Sequence, residues 1–225
     1  MVSPAFKSLD VRLRYLSSNL PPAPATPGRL TDVEKDTVAA YAVMTSAACE
    51  QFMEDRCIQI ADDAVKLYND KSKINRVAKH LCLLPFVEVT KHEKDFATLT
   101  AVIGSPGFGI AMSKAFKTSA AVEIADVLNA GYKRYKQAVN RNHGIAFKYQ
   151  LKLLAMIGVD INAFDPTFKS RIEQLSALRG EAAHRSIVAA TTIPALADLP
   201  IWTTDLIVGY KSLDKVLSKL RNIAT

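Results

Sequence analysis

Toward its C-terminal end the chain places Leu206, Tyr210, Leu213, Leu217 and Leu220 at spacings of four, three, four and three residues. That rhythm returns side chains to one stripe of an α-helix and to no single face of a strand. It therefore demands a helix and an apolar surface for it to pack on, in other helices or in a second chain. The same rhythm recurs elsewhere. Val33, Tyr41, Met44, Ala48 and Phe52 carry it toward residue 68, Phe147, Leu151, Leu154 and Ile157 repeat it, and Phe168, Ile172 and Leu175 begin a third stripe. Alternation at period two is almost absent, so the predicted fold class is all-α. With 49% hydrophobic residues in 225, the chain is long enough to bury a sizeable core.

Turn and cap chemistry divides these helices. The stretch "LPPAPATPGR" cannot continue a helix, which separates an N-terminal arm over 1–19, with "FKSLDVRLRYL" as a short helix, from a linker over 20–30 and a helical domain over 31–225. In "TDVE", Thr31 and Glu34 form a capping box that opens a long helix, with a kink or break expected within it. A shorter helix is expected over 72–84. The stretch "PFVEVTKHEKDFATLTAVIGSPGFG" reads as an irregular insertion, and helix resumes from about 110 to 140. Gly158 is placed to end a helix in a left-handed conformation. Asp165 and Pro166 supply an N-cap and a first helical residue, and the last helix is expected from about Thr204.

Several function classes are disfavoured. The longest apolar runs, "LCLLPFV" and "LLAMIGV", fall short of the roughly 20 residues that span a bilayer, so no membrane association is expected. The first residues lack the pattern of a secretory leader, and a cytoplasmic location follows as the expectation. Cys49, Cys57 and Cys82 have no C-x-x-C spacing and read as structural thiols. No G-x-x-x-x-G-K loop occurs, the glycines of "GSPGFG" miss the dinucleotide fingerprint, and the histidines at 80, 92, 143 and 184 form no H-x-x-x-H pair. No metal and no cofactor are expected. A net charge of +7 favours encounters with polyanions.

The residues that depart from plain helical patterning lie in "SALRGEAAHRS". Continuing the stripe Phe168, Ile172, Leu175 by four lands on Arg179, so an unbroken helix is expected to point an arginine along its packed face. A charge there is costly unless it is paired or meets an anion. His184 lies about 140° around the helix and roughly 7.5 Å along it, too far for the two to converge on one atom, and Gly180 is a place where the helix can relax. An Arg179 salt bridge and a surface or satisfied core His184 explain the same residues without chemistry.

Taken in order, "YAVMTSAACEQFMEDRC", "NRNHGIAFKYQLKLLAMIGVDI", "DPTFKSRIEQLSALRGEAAH" and "LIVGYKSLDKVL" make the chain resemble the HEPN superfamily (higher eukaryotes and prokaryotes nucleotide-binding), specifically its RiboL-PSP-HEPN branch. The resemblance runs from about residue 35 to 220. It implies a HEPN-type helical bundle, with the N-terminal arm and the irregular insertion as extras. The family signature, an arginine and a histidine separated by four to six residues, falls on Arg179 and His184, with Gly180 where many members carry a polar residue. By resemblance these two are the catalytic pair of a metal-independent endoribonuclease, a toxin or anti-phage effector acting as a homodimer, with an antitoxin or regulatory protein as a further partner. The alternative is a catalytically silent module that binds RNA, a nucleotide or a partner protein. Glu181, Asn142 and His143 are candidates for supporting roles. In "YKRYKQAVNRNH", Lys133, Arg134, Lys136 and Arg141 are candidates for RNA binding, interleaved with Tyr132 and Tyr135 as stacking platforms. Each of these residues also has a plain reading as a helix cap or a solvated face.

Overall fold

The computed structural model describes residues 2–22, 30–86, 123–159, 164–184 and 194–220. Among them it contains seven α-helices and no strand, so the protein is all-α. The helices are α1 (Pro4–Ser18), α2 (Asp32–Lys71), α3 (Arg76–Leu83, followed by a 3₁₀ turn, Leu84–Phe86), α4 (Ile124–Asn140), α5 (Phe147–Met156), α6 (Pro166–His184) and α7 (Asp198–Leu220). The prolines of the linker beyond residue 22, the insertion beyond residue 86, and the expected helix over 110–122 lie outside the described residues.

Local chemistry sets the helix boundaries. The Glu34 carboxylate accepts from the Thr31 N–H at 2.7 Å while the Thr31 hydroxyl accepts from the Glu34 N–H at 3.3 Å, the reciprocal capping box that the sequence implies. The Asp165 carboxylate accepts from the N–H groups of Thr167 and Phe168, and α6 starts at Pro166. Gly158 has φ +81° just beyond α5, the left-handed conformation expected of it. Asn75 caps α3 through the Ala78 N–H at 2.8 Å.

Helix α2 runs unbroken for 40 residues. Its buried stripe is not the one traced through the large apolar residues alone, because Val33 and Met44 are exposed. The packed face runs through Val38, Tyr41, Ala42, Thr45, Cys49, Phe52, Met53 and Arg56. At about 100° per residue, positions 33 and 44 lie roughly a third of a turn or more from the centre of that face. Small and polar residues define it as much as large ones do.

The chain divides into two compact units, one formed by Met1–Arg56, His143–Tyr149 and Ala163–Val216, the other by Cys57–Asn142, Gln150–Asn162 and Leu217–Thr225. The core of the first unit is a succession of edge-on aromatic contacts. Phe6 of α1 meets Phe52 of α2, Phe52 meets Tyr210 of α7, and Phe168 of α6 meets the same Tyr210 at 5.0 Å between centroids. Each such pair contributes about 0.5–1.5 kcal/mol beyond its buried area. Helices α6 and α7 approach so closely that a Cβ on Gly209 would lie 1.9 Å from the Phe168 ring.

Beside these rings lies a fully buried ion pair, Arg56 Nε to Asp214 Oδ1 at 2.7 Å. Ser3 donates to the same carboxylate from both its N–H and its hydroxyl, each at 2.7 Å, and its hydroxyl also accepts from the Phe6 N–H as the cap of α1. Burial alone would raise the Asp214 carboxyl, but the Ser3 hydrogen bonds and the Arg56 guanidinium outweigh it and hold the carboxyl below its ordinary range. The N-terminal helix is thus anchored in the core of this unit, with Phe6, Leu9 and Leu13 buried.

In the second unit α3 and α4 cross at Gly131, where a Cβ would sit 1.9 Å from the Leu81 carbonyl oxygen. The buried Tyr135 donates to the Leu153 carbonyl at 3.2 Å. His80 is buried over Gly158, with Nδ1 2.8 Å from the Arg76 carbonyl, and its burial lowers the imidazole pKa.

The three cysteines are buried thiols, as their apolar helical contexts imply. Burial pushes Cys49 up to about 12 and Cys82 up to about 11, which keeps both protonated and inert. Leu206, Tyr210, Leu213, Leu217 and Leu220 are all buried within the chain, and α7 begins at Asp198, earlier than the stripe alone suggests. Among the described residues no helix is long and apolar enough to cross a membrane.

Candidate functional site

The packed stripe of α6 begins as the spacing predicts, with Phe168, Ile172 and Leu175 buried. It then continues through Leu178, and Arg179 is exposed. The expectation that Arg179 points along the packed face is therefore corrected. Leu178, three residues beyond Leu175, takes up the remaining apolar contact. Among the described residues the flank beside the arginine is open, since a Cβ on Gly180 would meet none of them within 4 Å. An arginine stem can lie along such a flank while its guanidinium stays in water, so the burial cost anticipated for it does not arise. The helix also runs through Gly180 without a break as far as His184. Glu181 is half-buried, and the His184 side chain lies outside the described residues.

The supporting candidates fall differently from their sequence order. Asn142 lies in the segment between α4 and α5. It follows α4, where its N–H bonds to the Val139 carbonyl at 2.9 Å, and α5 starts only at Phe147. His143 is exposed. The segment between is held by two carboxylates that the sequence reading did not single out. Glu50 of α2 accepts from the Gly144 N–H, and Glu173 of α6 accepts from the Phe147 N–H at 2.8 Å. Glu173 thereby satisfies a backbone donor in the first turn of α5. Gly144 has φ +130°, a conformation that a side chain would strain. No motif announces either glutamate, because each acts from a distant helix.

The basic run lies mostly on α4. Lys133 and Lys136 are exposed on one face, and Arg141 is exposed at the helix end. Arg134 donates to the Leu84 carbonyl at 2.7 Å and so also serves the end of the α3 segment. Of the two interleaved tyrosines, Tyr135 is not a stacking platform. Tyr135 is fully buried, and Tyr132 donates to Asp62 while Lys136 lies over its ring at 5.3 Å. Partial burial, then the Asp62 hydrogen bond and charge, push the Tyr132 phenol up to about 12.

His143, Arg179, Glu181 and His184 belong to the first unit, and Lys133, Arg134, Lys136, Arg141 and Asn142 to the second. Among the described residues no group of three or more His, Cys, Asp or Glu side chains is placed to hold a metal ion. No family model, no curated protein and no solved structure matches the chain.

Proposed function

We propose that the protein is a metal-independent endoribonuclease of HEPN type, a toxin or anti-phage effector working as a homodimer, with Arg179 and His184 as its catalytic residues. The observation that carries this reading is the exposed Arg179 beside a flank at Gly180 that no described residue fills, one turn before His184 on the same helix. An exposed guanidinium with open space beside it among the described residues suits an approaching phosphate.

The chemistry these residue types perform is transesterification. The ribose 2′-oxygen attacks the adjacent phosphorus, forming an O2′–P bond and breaking the P–O5′ bond. The 2′-hydroxyl proton goes to a base, and an acid protonates the departing 5′-oxygen. A histidine with an ordinary pKa near 6.5 can fill either role. The guanidinium fork matches two phosphate oxygens as charge develops on them. One chain supplies one motif histidine, so a symmetric dimer provides both acid and base. Lys133 and Lys136 of α4 and Arg141 just beyond it are candidate cations for the RNA backbone, with Arg134 beside them.

Incubation with total RNA or tRNA in EDTA tests the proposal. Wild type is expected to leave 2′,3′-cyclic phosphate and 5′-hydroxyl ends, and Arg179→Ala and His184→Ala are each expected to abolish cleavage without loss of helix content. Products with 3′-hydroxyl ends would refute the mechanism. RNA bound but never cut would favour the silent module instead.

A further inference from the structure

In the first unit exposed aromatic surface lies at Tyr15 of α1 and at the start of α5, and it is α5 whose first turn is bonded to α6, the helix of Arg179. Tyr149 is 38% exposed and Phe147 is half-exposed. Each ring has an ammonium over it, Lys148 Nζ at 5.2 Å from the Tyr149 centroid and Lys169 Nζ at 5.5 Å from the Phe147 centroid, and a base that stacks on that face displaces the flexible lysine toward its phosphate. The first turn that carries the rings is tied to α6 at Phe147, and the segment ahead of it is tied to α2 at Gly144. Both carboxylates in those ties accept from backbone N–H groups, so they fix the display of the rings.

We propose that Phe147 and Tyr149, with Lys169 and Lys148, form a stacking subsite for unpaired nucleotides of single-stranded RNA. An exposed ring offers a π-face to a base, and the neighbouring ammonium meets the phosphate that follows it. An acidic protein segment would use the lysines but has no comparable use for two rings. A duplex would bring phosphates while keeping its bases stacked on one another. The subsite shares a unit with Arg179 and His184, and as a substrate-positioning element it rests on the ribonuclease reading. Its binding chemistry does not depend on cleavage.

The test uses the full chain and a fluorescent 2′-O-methyl oligouridine of about 12 nucleotides, which lacks the attacking hydroxyl and spans one typical single-strand site. Tyr149→Ala is expected to weaken binding about tenfold, the loss of one base stack, while Tyr149→Phe retains the wild-type affinity. Lys169→Ala is expected to lower the slope of log affinity against log salt by about 0.7, the share of one phosphate contact on a single strand. Unchanged affinity in Tyr149→Ala, with helix content preserved, overturns the proposal. So does equally tight binding of polyglutamate or duplex RNA that is indifferent to Tyr149. The two readings fail separately. Stacking without any cleavage of natural RNA sinks the nuclease and leaves the subsite, whereas cleavage unimpaired by Tyr149→Ala together with unchanged oligouridine affinity sinks the subsite and leaves the nuclease.

Discussion

Asp214 and His80 together set how the fold responds to acid. Asp214 titrates below its ordinary range in the folded state, so its contribution to stability is present above about pH 4 and is lost as pH falls through the depressed native value. His80 is likewise depressed, by burial, so the native state resists its protonation. Its contribution is complete above about pH 6.5 and declines as pH falls below that. Urea midpoints measured against pH should therefore fall in two stages. In His80→Gln the upper stage should vanish while the lower one remains. Asp214→Asn breaks the buried ion pair with Arg56, and a loss of about 3–5 kcal/mol is expected at neutral pH. Arg179→Ala, at an exposed position, should shift stability by less than about 0.5 kcal/mol. Of the residue-scale features, the caps at Thr31 and Asp165 and the left-handed Gly158 were legible, since their chemistry is local. The exposure of Arg179 was not. Periodicity gives an angle around the helix, whereas burial also depends on what lies opposite, and nothing in the sequence says where that neighbour stops.

Two glycines inside helices make opposite predictions at the scale of elements. At Gly131 the Cβ of alanine would collide with the Leu81 carbonyl, which is backbone and cannot swing aside, so α3 and α4 must part. Gly131→Ala should cost about 1–3 kcal/mol or more in denaturant unfolding. At Gly180 the space is open and the backbone helical, so Gly180→Ala should gain about 0.5–1 kcal/mol. If that open flank admits RNA, the same substitution should lower cleavage while it stabilises the protein, which separates function from fold in one variant. A variant both stabilised and fully active would place the substrate elsewhere. The spacing of the sequence located most helices described here and put Tyr41 and Phe52 on the packed face of α2, but it also put Val33 and Met44 there, and these are exposed. Val33 and Met44 drew the stripe by size, whereas Ala42, Thr45 and Cys49 hold the close contacts. Cross-element ties such as Glu173 to Phe147 leave no trace in sequence spacing.

For the whole molecule, the fold class was legible because helical periodicity and missing alternation are properties of the entire chain. The assembly was less so. The leucine stripe on α7 that suited a second chain is filled from within, so a dimer must use another surface. Sedimentation at low micromolar concentration is expected to give the mass of two chains, and a strictly monomeric species would remove the shared acid and base. The bonds between Ser3 and Asp214 join positions 211 residues apart, and Arg56 waits 158 residues for the same carboxylate. On a ribosome adding about 5–20 residues per second, the serine and the arginine emerge roughly 8–40 seconds before the aspartate exists. Until then α1 lacks its Ser3 bonds to Asp214, and the guanidinium lacks that carboxylate. Completion of α7 is therefore the moment at which the first unit can close, and a nascent chain stalled short of it would remain a client of chaperones and proteases.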